Sequence, residues 1–144
     1  MHRILVVANE TADAEELLAT LHSLDEEQSC IYRVVVPAHP LNHSSRDVWT
    51  QAGAQEAARD RLATTLAVMH EEGLDADGLV GDLDPVAATR DALMDFTADC
   101  IVISTHPVGR SRWLRRNVID RVRRFGLPVI HVVSHAREGA TTGS

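Results

Sequence analysis

Arg3-Ile4-Leu5-Val6-Val7-Ala8 opens the chain with a short run that is apolar from Ile4 onward. A strand with one face in water alternates apolar and polar residues. A run that is apolar throughout fits a strand covered on both faces. Cys100-Ile101-Val102-Ile103-Ser104 has the same character. Tyr32–Pro37 and Pro128–Val133 are further β-branched runs, and Leu79–Val80 marks a weaker one. Between these runs the period changes to that of a helix. Leu17, Leu18, Leu21 and Leu24 recur at helical spacing within Ala12–Leu24, with Asp13 and Glu16 as a capping pair. Residues 54–72 carry Ala58, Leu62, Leu66 and Met69 on one stripe and stop at Gly73. Asp84-Pro85 begins a third helix, with Asp84 as its cap and Pro85 in its first turn, followed by Val86, Leu93 and Phe96. A fourth helix is expected from Ser111, holding Leu114, Val118, Val122 and Phe125.

Strands therefore alternate with helices from one end to the other. That order predicts an α/β fold: a single-domain, doubly wound, five-stranded parallel sheet with helices on both faces. The domain is expected over residues 1–135, and the small polar tail Ala136–Ser144 is expected to be disordered.

Composition narrows the function. The 144 residues are 44% hydrophobic and 24% charged, ordinary values for one globular domain. No apolar run reaches the ~18 residues of a membrane span, and the first apolar stretch is too short for a signal peptide. Cys30 and Cys100 match no metal spacing and build no disulfide framework, so a reducing cytoplasm is the expected setting. The net charge of −7 argues against nucleic-acid binding. Yet all 14 basic residues are arginines, and seven of them lie between Arg110 and Arg124. An acidic chain with one basic segment points to a local anion site.

A doubly wound sheet binds ligands beyond the carboxyl ends of its strands, where strand order reverses. If the first and fourth strands are neighbours, the crevice is walled by Asn9-Glu10-Thr11 on one side and Thr105-His106-Pro107-Val108-Gly109 on the other, with Ala8, Asn9, Glu10, Thr105, His106 and Gly109 as the expected ligand contacts. Arg110, Ser111, Arg112, Arg115, Arg116 and Asn117 then follow at the start of the expected fourth helix. Cations at a helix N-terminus oppose its dipole, at about 0.3–1 kcal/mol each in low salt. A bound phosphate or carboxylate reverses that sign. Acidic neighbours such as Glu10, Asp82 or Asp84 would do the same without a ligand. Arg121, Arg123 and Arg124 sit at the favourable end of the same helix and read as a solvated face. The long connection 38–51, with His39, His43 and Trp49, is expected to be a lid, a binding loop or a mobile segment.

The sequence resembles the universal stress protein family from Arg3 to about His135. Ile4-Leu5-Val6-Val7-Ala8-Asn9 is similar to the family's opening strand. Asn117-Val118-Ile119-Asp120-Arg121-Val122 with Leu127-Pro128-Val129-Ile130 is similar to its last helix and strand. The resemblance implies strand order 3-2-1-4-5, a homodimer through the last strand, Val129–Val133, and binding of ATP or another adenine nucleotide. The glycine-rich phosphate signature of ATP-binding members is missing. Only Gly109 remains of it, Asn9 stands where an aspartate is usual, and Arg116-Asn117 occupy the glycine–hydroxyl positions. Guanidinium groups bind phosphate bidentately and can take over from backbone N–H groups.

Two readings follow. In the first, the protein is a cytoplasmic module that senses a nucleotide or another phosphorylated, anionic small molecule in the crevice. In the second, it is a dimeric regulatory or interaction domain whose crevice is closed by its own salt bridges. An enzyme is not expected: there is no Walker-type loop or dinucleotide fingerprint, and Asp84 is better explained as a cap than as half of a metal-binding pair. No metal, nucleic-acid or membrane partner is expected. The apolar last strand lies at a sheet edge in this order, and a charge inserted at Val132 is expected to yield monomers.

Overall fold

The computed structural model describes residues 2–8, 15–38, 51–105 and 117–133. Five strands are present among them: β1 (His2–Ala8), β2 (Cys30–Pro37), β3 (Ala76–Gly81), β4 (Cys100–Thr105) and β5 (Val129–Val133). They form one parallel sheet in the order β3-β2-β1-β4-β5. The helices described are α1 (Glu15–Glu27), α2 (Gln51–Glu71), α3 (Pro85–Asp95) and α4 (Val118–Arg123). The α/β fold and the strand order match the expectation.

Alternate residues of each strand enter two separate cores. Ile4, Val6, Tyr32, Val34 and Val102 meet Leu17 and Leu21 of α1 and Ala58 and Met69 of α2. Leu5, Val7, Val35, Ile101 and Ile103 meet Ala88 and Ala92 of α3 and Val118 and Val122 of α4. Ile4 through Ala8 are all fully buried, which is why that segment shows no alternation. Tyr32 carries its hydroxyl inside and donates it to the Leu21 carbonyl at 2.8 Å.

The caps follow the local sequence. Asp84 accepts from the Val86 N–H at 3.1 Å, with Pro85 in the first turn of α3. Gly73 ends α2 at φ +80°, a conformation that favours glycine. Phe96 lies one residue beyond α3 and is buried as its C-cap rather than carried on the helix.

The third strand is longer than Leu79–Val80, running Ala76–Gly81. The fourth helix differs more. Asn117 is left-handed at φ 57°, so no α-helix runs through it and α4 starts at Val118, while Ser111 and Leu114 lie outside the described residues. Residues 1, 9–14, 39–50, 106–116 and 134–144 lie outside the described residues. They include Asp13, most of the 38–51 connection and the polar tail. No helix among the described residues is long and apolar enough to cross a membrane.

Candidate functional site

The chain moves outward from β1 through β2 to β3, then returns to β4 and moves outward to β5. Strand order therefore reverses between β1 and β4, where Ala8 pairs with Ser104. This is the switch point at which such sheets hold ligands. Ala8, Ser104 and Thr105 form its floor, and all three are buried.

The Thr105 hydroxyl meets a histidine of the neighbouring edge strand: Oγ1 lies 2.7 Å from His131 Nε2. The His131 imidazole is pushed below its ordinary value by burial first and then by the Arg123 guanidinium. Sequence reading singled out Thr105 but missed its partner. The pairing depends on the β4–β5 register, which sets Ile103 opposite His131 and Thr105 opposite Val133.

Asn117 is exposed, and its side chain makes no capping hydrogen bond. Its carbonyl accepts from the Arg121 N–H at 3.0 Å, the first bond of α4. The first turn of α4 holds Asp120 and its last turn holds Arg121 and Arg123, so the dipole of this helix is matched by its own side chains. The arginines expected to oppose a helix dipole near Ser111, Arg112, Arg115 and Arg116, lie outside the described residues. The basic residues of α4 are not simply solvated. Arg121 Nη2 lies 3.8 Å from Asp84 Oδ2, joining α4 to the start of α3. Arg123 Nη1 lies 3.3 Å from Asp120 Oδ1. Asp82 Oδ1 accepts the Asp84 N–H at 2.9 Å.

Arg61 was also missed. It projects from α2 and its Nη2 donates to the Pro37 carbonyl, the last residue of β2, at 3.3 Å. A guanidinium thus stands at the carboxyl end of the sheet on the α2 face. An arginine inside an amphipathic helix carries no sequence signal for such a position. Of the other expected site residues, Asn9, Glu10, His106, Gly109, Arg110, Ser111, Arg112, Arg115 and Arg116 lie outside the described residues. Among the described residues no group of three or more His, Cys, Asp or Glu side chains could hold a metal ion. Cys30 and Cys100 are buried, which pushes both thiols up and keeps them protonated.

The architecture has close counterparts. A universal stress protein family structure from Burkholderia pseudomallei matches with a TM-score of 0.65 at 18% identity, over 92% of this chain and 96% of that one. The chain has the universal stress protein fold. The universal stress protein from Archaeoglobus fulgidus in complex with dAMP matches with a TM-score of 0.60 at 16% identity, over 92% and 98% of the two chains. An AMP-bound family protein from Arabidopsis thaliana matches with a TM-score of 0.62 at 12% identity, over 96% and 95%. No protein-family model matches the sequence, and no curated protein does.

Proposed function

We propose that this protein is a cytoplasmic universal stress protein-type module that binds an adenine nucleotide or another phosphorylated small molecule without turning it over. The ligand lies beyond the carboxyl ends of β1 and β4, and the protein works as a homodimer through β5. The observation that carries this reading is the reversal of strand order between Ala8 and Ser104. Two structures of the same fold were solved with dAMP and AMP, which supports the ligand class. The arginine-rich segment 110–116 follows β4 directly and would supply the phosphate contacts that the missing glycines cannot.

Calorimetric titration with ATP, ADP, AMP and inorganic phosphate tests the reading. Binding of at least one nucleotide is expected. Arg112→Ala should weaken it about tenfold or more, the scale of one charge-assisted hydrogen bond. Silence from all four at millimolar concentration overturns the proposal.

A further inference from the structure

Thr105 is 1% exposed and carries one hydroxyl hydrogen. Thr20, Thr65 and Thr89 each donate that hydrogen to a helix carbonyl four residues back. Thr105 stands in a strand and has no such carbonyl. Among the described residues the partner shown for its hydroxyl is His131 Nε2, at 2.7 Å. A buried hydroxyl that leaves its hydrogen unplaced costs about 1–3 kcal/mol. The hydroxyl therefore donates its hydrogen to Nε2, which makes Nε2 the bare acceptor and puts the imidazole's own hydrogen on Nδ1.

This bond sits where β5 has least else to hold it. β5 is an edge strand, paired only with β4 in the described sheet. His131 shares the face of Val129 that packs toward α4, while Ile130 and Val132 face α1. Among the described residues, the groups around His131 are few. β4 offers Thr105 and no charge. α4 offers Arg123, itself 3.3 Å from Asp120, and Arg121, drawn toward Asp84. The ionisable groups of α1, namely Glu15, Glu16, His22, Asp25, Glu26 and Glu27, lie across the sheet on the other face. No carboxylate is within 4.0 Å of His131 among the described residues to receive an imidazolium.

We propose that His131 is a proton-operated latch, fastening β5 to the end of β4 while its imidazole is neutral and loosening the carboxyl-terminal half of β5 when it is protonated. Protonation acts twice. It removes the acceptor of the Thr105 hydrogen, and it sets a second cation beside Arg123 in a half-buried position. The sign is fixed by linkage. Burial and Arg123 hold the closed-state imidazole below its ordinary 6.5, so the open strand binds the proton more readily. Opening is flat above pH 6.5, grows as pH falls from there to the closed-state value, and levels off below it. Both the assembly edge and the floor of the crevice would respond, since one side chain spans them.

Imidazole nitrogen NMR on the full chain, with amide exchange followed strand by strand, tests the latch without any ligand, so its outcome is separate from that of the nucleotide titration. At neutral pH, His131 should show a protonated Nδ1 and a bare Nε2. After correction for intrinsic rates, β5 amides should exchange about tenfold faster per pH unit within the window, while β2 stays unchanged. Thr105→Val should raise the His131 midpoint, and His131→Gln should make β5 exchange independent of pH. A hydrogen on Nε2 at neutral pH overturns the proposal. So does β5 exchange that tracks β2, or the same acid response in His131→Gln.

Discussion

The two edge strands of this sheet do the same backbone work with opposite side chains. β3 reads Ala76-Asp77-Gly78-Leu79-Val80-Gly81 and β5 reads Val129-Ile130-His131-Val132-Val133. On β3, Asp77 takes the Arg33 guanidinium in a bidentate grip, 2.9 and 3.1 Å from its two oxygens. Arg33 also lies over the Phe96 ring, with Arg3 nearby on the same ring at 4.4 Å. A charge fixed on an edge discourages a further strand from joining it. β5 carries no such guard. Its one ionisable side chain is tied to Thr105, and Val133 is left 38% exposed. One edge is closed by charge, and the other is the edge we propose for a second copy of the chain.

The largest expected effect breaks β5 itself. Val132 is 8% exposed and packs in the core that holds Leu17 and Leu21. A charge there meets α1 rather than a partner chain. Val132→Asp should cost roughly 3 kcal/mol or more, seen as a drop in melting temperature. It reads folding, so it cannot serve as the assembly test that the sequence alone recommended. A melting temperature within a degree of the parent would show that Val132 does not face the core.

On β3 the vulnerable point is Gly78. A Cβ built there would meet Leu62 Cδ1 and the Val34 carbonyl oxygen, both at 2.6 Å. The leucine can rotate, but the carbonyl is held in the sheet. Gly78→Ala should therefore destabilise by about 1–3 kcal/mol through overpacking. Unaltered denaturant midpoint in Gly78→Ala would show that β3 tolerates a wider spacing from α2 than the structure indicates.

These glycines also explain what could be read beforehand. β1 and β4 were legible because burial on both faces leaves an uninterrupted apolar run. β3 was nearly hidden because Asp77, Gly78 and Gly81 meet packing and edge demands that dilute its apolar pattern. The small side is needed at Gly81 as well, where a Cβ would meet that of Ala88 at 2.7 Å. The break at Asn117 was invisible for another reason. Leu114, Val118, Val122 and Phe125 keep helical spacing across it, and nothing in that spacing reports one left-handed residue. The reversal of strand order between β1 and β4, beside Ala8, came with the expected strand order. The His131 contact was out of reach because it depends on a register between strands far apart in sequence.

The smallest expected change in stability gives the sharpest contrast between the edges. Val133 is the exposed residue of β5, so Val133→Lys places on that edge the kind of guard that β3 has in Asp77. Folding should hardly notice, with a change within about 0.5 kcal/mol. Assembly should notice fully. Light scattering should report twice the chain mass for the parent and the single chain mass for Val133→Lys. A Val133→Lys protein that keeps the parent's mass would move the interface away from β5. The two edges would then differ in side chains without differing in what they bind.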